Sequence, residues 1–136
     1  MGTWGVGNFE NDTAAEYLIE LCKPLMEQIR EAVDDPSLME PDEYDSDVLI
    51  ANVEILAVLG ENIGRTKKEW VGDMVFPFPF PSADEIHKWK DEYLKIWDGY
   101  IPKLAGPDYI SRRRPVIVQT FDRLIAVAKA GPPIKE

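Results

Sequence analysis

The sequence is poor in the side chains that most often bind metals, with one histidine, His87, and one cysteine, Cys22. A zinc site takes several nitrogen or sulfur ligands, so a His/Cys cage is excluded, and HExxH, CxxC and GxSxG motifs are absent. The residues therefore indicate no catalytic group, no metal site and no cofactor. A single thiol allows no internal disulfide, which favours a reducing cytoplasm, and its apolar helical neighbours predict that Cys22 is buried.

Long apolar runs are also absent. No uninterrupted stretch approaches the length needed to cross a bilayer, and residues 1–7 have neither a basic n-region nor an apolar h-region. Export and membrane insertion are therefore not expected, and the predicted location is cytoplasmic.

The third shortage is local, because residues 31–64 contain no lysine or arginine. The whole chain has a net charge of -10, and this segment accounts for the excess. Phosphate recognition needs clustered cations, so nucleic acid and anionic membranes are not expected as partners, whereas a basic protein partner fits. The segment's ten carboxylates are Glu31, Asp34, Asp35, Glu40, Asp42, Glu43, Asp45, Asp47, Glu54 and Glu61.

What is present indicates one helical domain spanning residues 1–136. Apolar residues make up 45% of the chain, enough for one core, and they recur mostly with helical spacing. The predicted fold is all-α: a compact bundle of about four helices, with a Gly-rich amino-terminal segment and a Phe-Pro-rich extended loop.

The first helix is expected to begin at residues 11–13, where Thr13 and Glu16 have the spacing of a capping box. Pro24 should kink or divide it, because proline lacks the amide that would bond back one turn. Residues 34–44, which contain Pro36 and Pro41, are expected to form a solvated loop.

The second helix should begin at Asp45 or Ser46 and end near residues 60–64. It is apolar on nearly all sides, which is typical of the central helix of a bundle. Asn52 lies opposite the acidic side chains and is predicted to be a buried amide. We expect it to bond main-chain groups of the amino-terminal segment or of another loop.

Residues 70–81 end in three alternating phenylalanines and prolines, at 76–81, and the segment should be non-helical. Ser82 and Glu85 then have the capping-box spacing for a third helix, which would have His87 on its surface. A last helix is expected from Pro115 to a stop at Gly131, although residues 116–118 could instead start a short strand. The aromatic core face of the third helix would consist of Ile86, Trp89, Tyr93, Trp97 and Tyr100.

Three further segments of the sequence each allow two interpretations. Residues 112–114 are three arginines, which either clamp an external anion or pair with the acidic loop. The amino-terminal glycines more plausibly allow tight turns, with Trp4 and Phe9 docking on the bundle, than cradle a phosphate. The Phe-Pro segment either closes over the core or forms an exposed recognition element.

Residues 1–14 read M-G-T-W-G-V-G-N-F-E-N-D-T-A. This stretch resembles the G-x-W-x-x-G-x-F-x-N-D signature of domain-of-unknown-function family 4259, and Glu43, Tyr44 and the following helix resemble a second block. The resemblance covers roughly residues 1–62. It implies a small, mostly helical bacterial cytoplasmic protein with no established reaction, in a family some of whose members resemble acidic immunity proteins of toxin systems.

The leading hypothesis is an acidic domain that binds a basic protein partner, with an immunity protein of a bacterial toxin system as one form. Asp47, Glu54 and Glu61 recur every seven residues and would form a ridge. Asp42, Glu43 and Asp45 would extend this ridge, with Tyr44 as an aromatic anchor. The alternatives are a carboxylate- or metal-dependent enzyme, with its cleft between helix two and the arginines, and an oligomeric scaffold protein.

Overall fold

The computed structural model describes residues 6–9, 11–64 and 81–130. Their regular structure is helical, which confirms the predicted all-α bundle. The four α-helices are α1 (Asp12–Asp34), α2 (Tyr44–Leu59), α3 (Ala83–Tyr100) and α4 (Pro107–Ala130). Shorter helical turns are the 3₁₀ turns Pro36–Met39 and Ile101–Lys103 and the π turn Gly60–Gly64.

The core lies where α2 packs against both α1 and α4, with α3 packed on α4. Cys22, Val53, Trp89 and Phe121 are buried there. Burial without a charge partner raises the pKa of the Cys22 thiol to about 11, as expected for a core cysteine. Helix α2 is central but not enclosed, because Ile55 and Val58 on its outer side are among the exposed apolar residues.

Helix α1 begins where the sequence predicted, and of the candidate caps at residues 11–13 it is Asn11 that caps the helix. The Asn11 side chain accepts a 2.8 Å hydrogen bond from the Ala14 amide, while Thr13 lies within the first turn. The helix also continues through Pro24. Pro24 and Glu20, whose carbonyl loses its bonding partner, both lie on the exposed side, where water can satisfy that carbonyl.

The segment between α1 and α2 is more ordered than the predicted solvated loop. Asp35 accepts hydrogen bonds from the amide and hydroxyl of Ser37, which starts the 3₁₀ turn Pro36–Met39. Met39 is fully buried and belongs to the core. One apolar side chain thus ties this acidic segment to the bundle.

Helix α3 begins as predicted at Ser82, whose hydroxyl accepts a 3.2 Å hydrogen bond from the Glu85 amide. The Glu85 carboxylate accepts two hydrogen bonds from Arg30, at 2.9 and 3.0 Å, and so joins α3 to α1. The predicted aromatic face is correct for Trp89, Tyr93 and Trp97. It is wrong for Tyr100, which is 40% exposed because it lies at the end of the helix.

Helix α4 begins at Pro107, so the predicted start at Pro115 and the alternative strand at residues 116–118 are both wrong. Pro115 lies inside the helix on an exposed side, and so does Ser111, whose carbonyl would otherwise receive its bond. His87 is exposed, as expected. Phe9 keeps 38% of its surface exposed and is not a buried anchor. The predictions for Trp4, residues 70–80 and Gly131 lie outside the described residues.

Asn52 is buried, as predicted, but its partner is a side chain rather than main chain. Its Nδ2 donates a 2.9 Å hydrogen bond to Oε1 of Gln28 on α1. Asn52 is 5% exposed, whereas Gln28 is on the exposed side of its helix. The two ends of the bond therefore differ in their access to water.

This asymmetry predicts which partner is the more costly to remove. Gln28→Leu leaves the buried Asn52 amide without its partner and should lower the free energy of unfolding by about 1–3 kcal/mol. Asn52→Leu should cost less, because Gln28 can turn to solvent, and the double variant should recover part of the loss. Chemical denaturation of the three variants measures this, and an Asn52→Leu loss larger than that of Gln28→Leu would contradict it.

Gly60 joins α2 to the π turn and lies directly against Val127 of α4. A Cβ atom at position 60 would overlap the Val127 side chain, which is fully buried and β-branched. The absence of a side chain therefore sets how closely these two segments approach.

We expect Gly60→Ala to lower the free energy of unfolding by about 1–3 kcal/mol through overpacking. Combining it with Val127→Ala should cost less than the sum of the two single changes, because the smaller side chain leaves room for the new methyl group. Thermal or urea unfolding of wild type, the two single variants and the double variant measures these free energies. Additive losses would show that the close approach is not what requires glycine.

Candidate functional site

The predicted acidic ridge is partly neutralised by a residue from another helix. Arg123 of α4 donates two hydrogen bonds to the Glu61 carboxylate, at 2.7 and 3.1 Å, and its guanidinium lies 3.7 Å from a Glu54 oxygen. The bond to Glu61 raises the pKa of Arg123. Of the three ridge residues, only Asp47 has no ion pair with a described residue. Glu54 and Glu61 thus have a role within the fold.

The carboxylates that lack an ionic partner lie earlier in the chain. Residues 40–47, which we term the acidic turn, run from the end of the 3₁₀ turn into the first turn of α2. Glu43, Tyr44 and Asp45 are exposed, Tyr44 by 78%. No carboxylate of the acidic turn forms an ion pair within the described parts of the chain. Asp42 has a φ of 82°, a left-handed conformation that aspartate tolerates better than most residues.

The three consecutive arginines have separate environments inside α4, not at its start. Arg112 lies 3.6 Å from Asp108, and Arg114 donates two 3.0 Å hydrogen bonds to Asp98 of α3. For these two arginines, the alternative of pairing with the acidic loop is therefore wrong. Arg113 is half-buried and has no ion pair with a described residue.

Arg113 lines a cleft where the start of α2, the end of α3 and the start of α4 diverge. The cleft has a volume of about 360 Å³ and lies between helix two and the arginine segment, where the sequence suggested one. Its residues combine both signs of charge, hydroxyl groups and an apolar wall. They are Pro41, Asp42, Ser46, Asp47, Tyr93, Trp97, Ile101, Leu104, Ala105, Tyr109 and Arg113.

Two buried hydroxyl groups lie on the floor of this cleft. The Ser46 Oγ donates a 3.3 Å hydrogen bond to the Tyr93 hydroxyl, and both residues are buried. Burial raises the pKa of Tyr93, and nearby Asp47 adds to the rise. The Ser46 bond and the Arg113 charge oppose it. The cleft therefore brings one cation and one anion close to a protonated phenol.

Polar residues occupy positions where helical spacing places core residues. In α4 the inner side includes Ile110, Ile117 and Leu124, with Arg113 between the first two. In α2, Ser46 precedes Leu49 and Val53 on the buried side. Because Arg113 and Ser46 occupy positions where an apolar side chain would extend the core, the cleft remains at this end of the bundle.

The sequence interpretation identified part of this cleft. It selected Asp42 and Asp47 for partner docking and the arginine segment for an anion or for ion pairing. It placed Tyr93 and Trp97 correctly in the core without indicating that they also line a cleft, and it gave Ser46 and Tyr109 no functional role. An arginine at a core-facing helical position was an available signal, and the incorrect start of α4 concealed it. Within the described residues, no group of three or more His, Cys, Asp or Glu side chains is arranged to hold a metal, and no helix is both long and apolar enough to cross a membrane.

The chain matches the family model described as "Domain of unknown function", family 4259, over residues 2–130. The match extends well beyond the amino-terminal signature and covers nearly all of the bundle. Comparison with curated proteins and with solved structures gave no match.

The raised pKa of Tyr93 predicts a specific pH dependence. A phenol whose pKa is higher in the folded than in the unfolded state stabilises the fold below its ordinary pKa, near 10, and that contribution is lost as the pH rises through the folded pKa. The stability of wild type relative to Tyr93→Phe should therefore be constant near neutral pH and should fall as the pH rises above about 10. Urea unfolding of both proteins across this range measures it, and a constant difference would contradict it.

Proposed function

Because the chain belongs to domain-of-unknown-function family 4259, whose description names no activity, we propose its function from the surface chemistry alone. The protein is proposed to be a binding domain that docks a basic protein partner on the acidic turn. One observation carries the proposal: Tyr44 is 78% exposed and lies among carboxylates that have no ionic partner in the described residues.

Two physical properties of the acidic turn support this function. An exposed tyrosine offers a rigid, amphipathic contact of the kind that dominates binding energy at interfaces. The surrounding carboxylates generate a negative potential, which speeds the approach of a basic partner and selects against acidic ones. Asp45 and Asp47 also stabilise the amino terminus of α2, so part of this charge serves the fold.

The ion pairs of Arg123 make the proposed docking surface smaller than the one predicted from the sequence, because they occupy Glu54 and Glu61. Glu54 and Glu61 were predicted to belong to it, but displacing their arginine would cost part of whatever a new contact gains. The proposed surface therefore consists of the acidic turn, centred on Asp42, Glu43, Tyr44, Asp45 and Asp47.

An immunity protein is the specific form that we propose for this binding domain. A toxin that acts on nucleic acid presents a basic substrate site, and an acidic surface with an aromatic anchor is suited to cover it. A basic toxin encoded by the neighbouring gene, inhibited by this chain in vitro, would support that form of the proposal.

The docking proposal predicts the effect of neutralising the acidic turn. With the basic partner purified by capture on the tagged chain, Glu40→Gln/Glu43→Gln/Asp45→Asn should slow association about tenfold or more at low salt. The effect should fade as salt rises, because screening removes the steering. Tyr44→Ala should instead speed dissociation, and surface plasmon resonance separates the two rates.

The matched control is Glu16→Gln/Glu27→Gln/Asp91→Asn, which changes the net charge equally through exposed residues of α1 and α3. This control should leave both rates near those of wild type. Equal slowing by the two triple variants would reduce the effect to net charge and reject the acidic turn as the docking surface. Unchanged binding by the acidic-turn variant would reject it as well.

A further inference from the structure

The Arg113 guanidinium lacks an anionic partner where one is expected. Arg112 and Arg114, its neighbours in the chain, each pair with an aspartate. Arg113 is more buried than either, yet no described carboxylate lies within ion-pair distance of it. Partial burial of a charge is costly unless an opposite charge compensates it. The open side of the cleft is where such an anion can enter.

The same cleft also presents carboxylates. Asp42 and Asp47 line it, and neither has an ion pair with a described residue. Asp47 and Arg113 both act on the pKa of Tyr93, in opposite directions, so both charges lie near the cleft floor. One site thus offers a cation and an anion that do not neutralise each other by direct contact.

The hydroxyl pair on the floor has one unused hydrogen. Ser46 and Tyr93 share a single hydrogen bond, which uses one of their two O–H groups. No described protein atom accepts from the other, and both side chains are buried. A buried donor without a protein acceptor requires a water or a ligand atom.

The remaining wall of the cleft is apolar. Trp97 and Ile101 are buried at the end of α3, and Leu104, which follows them, is 54% exposed. A volume of about 360 Å³ is within the usual range for a small-molecule site. The cleft can therefore accept one small molecule whose apolar part packs mainly on Leu104, beside the small accessible parts of Trp97 and Ile101.

We propose that this cleft binds a free amino acid with a large apolar side chain. Arg113 and the spare hydroxyl hydrogen would receive the carboxylate, and Asp47, with Asp42 beside it, would receive the ammonium group. The apolar side chain would lie against Trp97, Ile101 and Leu104. A zwitterion compensates unpaired charge of both signs at once, whereas a simple anion or cation compensates one sign.

The amino-acid site shares Asp42 and Asp47 with the proposed docking surface, but its occupation needs no protein partner. The acidic-turn variant changes Glu40, Glu43 and Asp45, none of which lines the cleft. Either proposal can therefore fail while the other is upheld.

The test uses the purified full chain and three related probes in isothermal titration calorimetry. L-Phenylalanine has a carboxylate, an ammonium group and an apolar side chain. 3-Phenylpropanoate lacks the ammonium group, and 2-phenylethylamine lacks the carboxylate. We expect saturable binding of L-phenylalanine in the millimolar range or tighter, with both analogues weaker by about tenfold or more. L-Leucine, as a second amino acid, should bind and L-alanine should not.

Two variants test which residue binds each charged group of the amino acid. Arg113→Gln should weaken L-phenylalanine about tenfold or more and leave 2-phenylethylamine unchanged, since only the carboxylate contact is lost. Asp47→Asn should weaken L-phenylalanine and leave 3-phenylpropanoate unchanged. Arg112→Gln and Asp45→Asn are the matched controls, because neither residue lines this cleft, and they should bind as wild type. Circular dichroism confirms that each variant is folded.

Three results would overturn the inference. Absence of saturable binding of both L-phenylalanine and L-leucine by the folded wild type would exclude an amino-acid site. Tighter binding of either analogue than of L-phenylalanine would exclude a zwitterion as the ligand. Equal weakening by Arg113→Gln and Arg112→Gln would place the bound molecule elsewhere on the protein.

Discussion

The burial of one side of α2 between α1 and α4 is the constraint on which the rest of the structure depends. Val53, Leu56 and Ala57 of α2 are fully buried in this contact. Because burial of apolar surface is the main force that stabilises a domain of this size, the positions of the other elements follow from it. The side-chain bond from Asn52 to Gln28 and the close approach of Gly60 to Val127 fix how α2 lies against its two neighbours.

The same packing determines which carboxylates remain available for binding. Placing α4 beside α2 brings Arg123 to Glu61 and Glu54, so the later half of the acidic segment is partly neutralised by ion pairs at the surface. The earlier half lies at the start of α2, where Met39 anchors the chain and the acidic side chains around Tyr44 face solvent. The proposed docking surface and the proposed ligand cleft meet at this end of the bundle, at Asp42 and Asp47.

Local signals predicted much of the fold. The N-cap at Ser82 and the helical spacing of Trp89, Tyr93 and Trp97 were readable because each depends on residues within one or two turns. The start of α2 was predicted one or two residues late, because Glu43 precedes the helix without a side-chain capping bond. The prolines misled the prediction of helix bounds, because Pro24 and Pro115 both lie inside helices. Each lies on a side where water can bond the carbonyl that has lost its helical partner. The prediction treated Pro24 as a kink or a break and Pro115 as a helix start, and did not consider that an exposed helix side can accommodate proline.

The sequence by itself determined the all-α class, the burial of Cys22 and Asn52, and the shortage of positive charge between residues 31 and 64. These depend on composition and helical periodicity, which act over short distances. Only the tertiary structure decided the partner of Asn52, the pairing of Arg123 with Glu61, and the meeting of Ser46, Tyr93 and Arg113 in one cleft. Each joins residues far apart in the chain, and such contacts depend on how the helices pack.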